Sequence, residues 1–176
     1  MMKINSGFIK SRLLIGVGVL LTAAISFHAS ALPGDREQPI HIDADSAERN
    51  EKLGTTVYTG AVKMNQGSLR ILADIITVYS SDVGVERIIA TGLPADLQQR
   101  PGLDKAMVIA RGNTITYKLV DEQIVIIDNA FLEQDGSTTK AKRIDYDVTN
   151  ATAKTSGNER VKMVIQPQKK TDPESS

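Results

Sequence analysis

Downstream of residue 31 the chain has one histidine, and it stands two and four residues before carboxylates: His41, Asp43 and Asp45. In a strand, alternate side chains share a face, so one imidazole and two carboxylates would converge, a donor set that suits a divalent cation. The same spacing also describes the solvated face of an ordinary edge strand. A second copy of the pattern favours that plainer reading. Ile42-Asp43-Ala44-Asp45 recurs as Ile71-Leu72-Ala73-Asp74, with Asp74 in the place of Asp45 and no histidine beside it. Asp145 and Asp147 make a further solvent-facing pair. Other chemistries find no better footing. There is no cysteine, no Gly-x-Ser-x-Gly elbow and no Gly-x-x-x-x-Gly-Lys-Ser/Thr loop. Gly136-Ser137-Thr138-Thr139-Lys140 reads as a hairpin turn, and Asn150-Ala151-Thr152 matches a glycosylation pattern too short to mean much. The sequence supplies no catalytic residue, no metal site and no cofactor.

The elements that carry these residues repeat. Tyr58-Thr59-Gly60-Ala61-Val62 is echoed by Ala90-Thr91-Gly92, by Asp128-Asn129-Ala130-Phe131 and by Thr155-Ser156-Gly157. Recurrence at about thirty residues indicates one supersecondary unit used repeatedly, each copy burying its apolar face on the next. The units are strands. Ile40, Ile42 and Ala44 alternate with His41, Asp43 and Asp45; Ile115, Tyr117 and Leu119 alternate with polar neighbours; so do Ile144, Tyr146 and Val148, and Val161, Met163 and Ile165. Ser68 to Tyr79 is apolar on both faces, which predicts a strand covered on both sides. Asp82-Val83-Gly84, Asp121-Glu122 and Asp135-Gly136 are turns. Gly92 to Lys105, with Pro94, Pro101 and Gly102, is predicted to be the longest irregular stretch, with Leu97 in its middle, in irregular chain or on a short strand. No amphipathic helix is predicted after residue 31. The choices are sandwich, barrel, jelly roll or β-solenoid.

The first residues are of another kind. Lys3, Lys10 and Arg12 precede an apolar run from Leu13 to Ile25, and Ala29-Ser30-Ala31 follows. This is the pattern of a secretory signal peptide over residues 1–31, cut after Ala31. The run is short for a spanning helix, which needs about 20 apolar residues. Without Cys there is no lipoprotein anchor. Residues 32–167 make one domain by size, and residues 168–176 a charged, disordered tail. Losing three bases leaves an acidic mature chain, which argues against a nucleic-acid partner. Trp is absent and other rings are few, so stacking platforms for bases or sugars are not expected. Aliphatic side chains remain: they fill a core, or they wall a groove for lipid chains.

Order and spacing carry a resemblance. Gln38-Pro39-Ile40-His41-Ile42, Asp45-Ser46-Ala47, Thr59-Gly60-Ala61-Val62, Gln66-Gly67-Ser68, Ala73-Asp74, Gly92-Leu93-Pro94-Ala95 and Ile126-Ile127-Asp128-Asn129-Ala130 together resemble the OstA-like domain of the LptA family. Asp128 stands where that family often has Gly. The resemblance implies an all-β fold, a partly open antiparallel β-jelly roll built from repeated hairpins. It implies a non-enzymatic periplasmic protein that binds lipopolysaccharide, shields the acyl chains of lipid A in an apolar groove and bridges inner and outer membranes. It implies inner-membrane LptC-like and outer-membrane LptD-like partners and a head-to-tail homo-oligomer. Ile40, Ile42, Leu97, Tyr117 and Leu119 would then line the lipid-binding interior, and Val161, Met163 and Ile165 would form the oligomer edge. A buried methylene contributes ~0.8 kcal/mol, so an acyl chain of about twelve carbons carries on the order of 10 kcal/mol of aversion to water. A stacked apolar path answers that cost. Two rivals are a monomeric lipid shuttle and a periplasmic metal enzyme using His41, Asp43 and Asp45.

Overall fold

A computed structural model describes residues 34–102 and 104–167. The leader, its cleavage point at Ala31 and the tail 168–176 lie outside the described residues. A single 3₁₀ turn at Asp35–Glu37 precedes ten strands: β1 (His41–Asp43), β2 (Ser46–Asn50), β3 (Thr55–Gln66), β4 (Leu69–Ser81), β5 (Gly84–Gln99), β6 (Val108–Lys118), β7 (Gln123–Gln134), β8 (Ser137–Asp147), β9 (Thr152–Ser156) and β10 (Lys162–Val164). They form one sheet in the order β1-β3-β4-β5-β6-β7-β8-β10, with β2 also on β3 and β9 also on β8. Every pairing is antiparallel. Two-residue turns join β3 to β4, β4 to β5 and β7 to β8. Asp135 (φ 49°) and Gly136 (φ 71°) both take the left-handed conformation that a tight hairpin demands.

Each ladder between the long strands slips near its middle, between Thr59 and Val62, Leu72 and Ile75, Thr91 and Ala95, Arg111 and Thr114, and Ile127 and Ala130, and the β4–β5 ladder slips again beside its turn, between Tyr79 and Ser80. A slip of this kind bends a strand and sharpens its twist. At these places the backbone turns left-handed at Gly60 (φ 91°), Ala61 (φ 42°), Asp128 (φ 60°) and Asn129 (φ 56°). The recurring Thr-Gly-like step is therefore a corner. It carries each strand from one layer of a folded-over sheet into the other, and the result is a β-jelly roll.

The first layer holds β1, one half of each of β3 to β8, and β10. The second holds β2, the other halves, and β9. One aliphatic cluster lies between the layers. The buried positions change parity at the corners: Leu69, Ile71 and Ala73 are followed by Ile76 and Val78, and Val108 and Ala110 by Ile115 and Tyr117. This corrects the reading of Ser68 to Tyr79. That stretch is apolar at odd and even positions because its inward face switches at the corner, while Ile75 is 39% exposed.

Three further expectations change. The stretch from Gly92 to Gln99 is the second half of β5, and Leu97 lies in it fully buried. Pro94 sits at the corner, where the ladder is already broken and a missing N–H removes no strand pairing. The first strand spans His41–Asp43, shorter than the alternating run from Ile40 to Asp45. Asp45 leaves the ladder and lies against Gly60, where a Cβ would meet its carboxylate. The last strand is Lys162–Val164, so Val161 and Ile165 flank it, and Val161, Met163 and Ile165 are exposed.

The corners leave little room. A Cβ on Gly112 would sit 2.5 Å from Ile126 Cγ2 and 3.3 Å from the Ile127 and Asp128 carbonyl oxygens. Gly112→Val is expected to overpack this corner and cost about 1–3 kcal/mol. A urea unfolding midpoint unchanged from the parent would show that the corner yields freely.

Candidate functional site

The interior is walled by β-branched and leucine side chains because each half-strand alternates, and the parity switch keeps one face inward along its whole length. It is closed at its centre. Leu97 and Tyr117 are buried there against Ile71, Ile88 and Ala110. It opens where β1 and β2 diverge. A cleft of about 810 Å³ lies there, with Ile40 and Ile42 from the first layer facing Tyr58, Val78 and Val85 from the second, and a polar rim that includes Arg49, Asn50, Glu51, Ser80 and Asp82. A neighbouring cavity of about 360 Å³ shares Ile40 and Val85 and adds Gln66 and Leu119. Both volumes fall in the range of pockets that accept small ligands, roughly 300–1,000 Å³. So Ile40, Ile42 and Leu119 stand at the mouth, and Leu97 and Tyr117 lie deeper. Val161, Met163 and Ile165 belong to the opposite end of the sheet.

A strap crosses the mouth. Asp35 accepts from Ser68 N–H at 2.7 Å and from Ser68 Oγ at 2.5 Å. Gln66 Nε2 donates to the Arg36 and Gln38 carbonyls at 3.3 and 3.1 Å. These bonds hold the strap to the first layer. The Arg36 guanidinium reaches the second layer, donating to the Leu119 carbonyl and pairing with Glu122 at 3.1 Å. Asp35 is the anchor, since three donors converge on it, Gln99 Nε2 at 3.4 Å being the third. Asp35→Ala leaves the Ser68 N–H without an acceptor, while Ser68 Oγ keeps the Arg100 carbonyl and Gln99 Nε2 the Tyr117 hydroxyl, and is expected to cost about 1–3 kcal/mol. Faster hydrogen exchange at Ser68 than in the parent checks it; unchanged protection there overturns it.

The two ends of the sheet differ in charge. Residues 41–50 carry Asp43, Asp45 and Glu48 against Arg49, whereas residues 152–164 carry Lys154, Arg160 and Lys162 against Glu159. At the basic end a cleft of about 800 Å³ runs along the outer face, lined by Arg111, Phe131, Lys140, Arg160 and Lys162 among others. Lys162 pairs directly with Lys140 in the ladder, and Lys140 Nζ lies 5.6 Å from the centre of the Phe131 ring. No group of three or more His, Cys, Asp or Glu side chains is placed to hold a metal among the described residues. His41 and Asp43 are exposed on a short edge strand.

The sequence reading missed the polar groups inside. Gln66, Gln99 and Gln134 each close a half-strand of the first layer with the side chain turned inward; Gln66 and Gln99 are buried. Their spacing was the available signal, since each ends an alternating run just before a turn.

A folded-over antiparallel sheet around an aliphatic interior, with an edge strand at each end unpaired on its outer side among the described residues, defines a β-jelly roll. Comparison with known proteins narrows it. Residues 41–152 match the model of the family described as LptA/(LptD N-terminal domain) LPS transport protein. The lipopolysaccharide export system protein LptH of Pseudomonas aeruginosa is 41% identical over 161 residues, covering 85% of this chain and 92% of that protein. The lipopolysaccharide export system protein LptA of Escherichia coli K12 is 33% identical over 125 residues, covering 70% and 67%. The crystal structure of LptH, described as the LptA-homologous periplasmic component of the lipopolysaccharide transport device of Pseudomonas aeruginosa, superposes with a TM-score of 0.71. It is 37% identical and covers 77% of this chain and 100% of that one. The chain belongs to the LptA/LptD N-terminal domain family.

Proposed function

We propose that this chain is a periplasmic, non-enzymatic transport protein that binds lipopolysaccharide and shields the acyl chains of lipid A between its two layers. The observation that carries the reading is the aliphatic interior that opens past Ile40 and Ile42 in a sheet whose two edge strands have no further partner among the described residues. Burying acyl chains there offsets on the order of 10 kcal/mol per chain of about twelve carbons. The relatives' names, all lipopolysaccharide export proteins, point the same way.

The edges support stacking. Each layer contains eight strand segments in antiparallel order, so its first and last strands run in opposite directions. A second copy placed end to end therefore sets its β1 antiparallel to β10 and its β2 antiparallel to β9. Backbone hydrogen bonds continue across the junction, and Val161, Met163 and Ile165 are covered. Such a contact is heterologous and propagates instead of closing. The same edges would receive an LptC-like protein at the inner membrane and an LptD-like protein at the outer membrane. Movement must be powered by a partner. Mass spectrometry of lipid co-purified from the periplasm tests the reading: lipopolysaccharide is expected, and a different lipid class, or none, would replace it with another cargo.

A further inference from the structure

Among the described residues two buried side-chain atoms lack a hydrogen bond of ordinary geometry: Gln99 Oε1 and the Tyr146 hydroxyl. Their residues are 7% and 0% exposed. A buried polar group without a partner costs about 1–3 kcal/mol, so two of them in one apolar interior require a reason.

Their placement is ordered. In the first layer Gln99 pairs with Val108 and Val108 with Gln134, across β5, β6 and β7. In the second layer Tyr117 pairs with Ile124 and Ile124 with Tyr146, across β6, β7 and β8. Two glutamines flank a valine on one side of the interior, and two tyrosines flank an isoleucine on the other. Members of each pair are two strands apart, roughly 9–10 Å. Gln99 Nε2 donates to the Tyr117 hydroxyl at 3.4 Å, a long bond that leaves Gln99 Oε1 free. Burial pushes the Tyr146 hydroxyl above its ordinary pKa, with Asp147 adding to the effect and a weak hydrogen bond from the Gln134 side chain opposing it, though no bond of ordinary geometry reaches the hydroxyl. The phenol therefore stays protonated at neutral pH and keeps a hydrogen to donate. The row offers one free acceptor and one donor, beneath the strap that Asp35 ties to Gln99 and above the aliphatic wall of Ile71, Leu97, Ile88 and Ile126.

We infer that Gln99, Gln134, Tyr117 and Tyr146 form a polar subsite for the amide and hydroxyl groups at the root of acyl chains, and that it selects N-acylated amphiphiles over plain alkyl ones. The inference rests on the lipid-binding reading above. An amide N–H or chain hydroxyl meets Gln99 Oε1, an acyl carbonyl accepts from Tyr146, and the chain passes into the aliphatic wall below. A plain alkyl chain buries as much methylene but leaves both atoms unpaired.

The test compares N-dodecanoyl glucosamine with dodecyl glucoside, probes of equal chain length, by titration calorimetry on the purified protein. Wild type is expected to prefer the N-acyl probe by about tenfold, as one hydrogen bond of ordinary net strength allows. Tyr146→Phe and Gln99→Leu should each remove most of that preference and leave dodecyl glucoside binding unchanged. Tyr146→Phe should also unfold at the parent's temperature or above, whereas Gln99→Leu additionally removes the Nε2 bonds to Asp35 and to the Tyr117 hydroxyl and is expected to unfold somewhat lower. A variant that weakens both probes equally, or that keeps the preference, overturns the subsite. Tyr146→Phe differs by one oxygen, so it keeps the test open should Gln99→Leu misfold. If wild type binds neither probe, the lipid reading itself falls and the subsite with it.

Discussion

Lys154→Glu combined with Lys162→Glu is expected to abolish head-to-tail association, and mixing that variant with Asp43→Lys/Glu48→Lys is expected to restore it. The register supplies the reason. Lys162 pairs with outward Lys140, and Asp43 with outward Lys63, so these two edge charges lie on the same outer face of the first layer. Lys154 pairs with Asp145 and Glu48 with Val57, which places them on the outer face of the second layer. End-to-end stacking brings Lys162 toward the next copy's Asp43, and Lys154 toward its Glu48. Reversing one edge turns two attractions into two repulsions, and like charges across an interface are strongly disfavoured. The expected loss is at least about tenfold and on the order of a hundredfold in association constant. Each variant alone repels itself. In the mixture both kinds of junction are complementary, so alternating chains form. Light scattering across a concentration series, repeated at high salt where exposed charges are screened, reads the result. A doubly reversed C-terminal edge that still assembles by itself would show that the molecule associates through another surface.

Much of this fold was legible, and what was not has a physical cause. Alternation at Ile115, Tyr117 and Leu119 and at Ile144, Tyr146 and Val148 gave strands, because one face of each meets a core. The repeated Thr-Gly-like step marked something periodic. It could not reveal a corner, because a bulge is a relation between neighbouring strands and a sequence shows one strand at a time. That is why Ser68 to Tyr79 looked apolar on both faces and Gly92 to Gln99 looked irregular. Family resemblance put Ile40 and Ile42 on an interior wall, and only the fold sets them beside an opening. Composition could not separate a groove from a filled core, since the same aliphatic residues serve both. Gln99 and Tyr146 escaped notice because polar residues in strands are usually solvent-facing, and only the fold brings these two inward.

The interior path makes the strongest demand on Leu119. Its side chain lines the smaller cavity of the mouth with Ile40, Gln66 and Val85, and it is 6% exposed. Its backbone is held independently of the side chain: the N–H donates to the Glu86 carbonyl at 2.9 Å, and its own carbonyl accepts from Arg36. Leu119→Asp therefore keeps its place in the fold while losing about 1.5–3 kcal/mol of side-chain burial. The new carboxylate stands close to Arg36, which can neutralise it at the rim. A lipid chain entering past it would have to strip water from a charged group, a cost well above any single methylene contact. Binding of lipopolysaccharide is expected to fall by at least about tenfold, whereas Leu119→Met, similar in volume and apolar, should bind as the parent does. Circular dichroism and a urea melt establish that each variant is folded, and fluorescence titration with labelled lipopolysaccharide measures affinity. Normal binding by a folded Leu119→Asp would place the lipid path elsewhere in the molecule. Equal losses in the Asp and Met variants would mean that this position governs the shape of the mouth and that polarity there is immaterial.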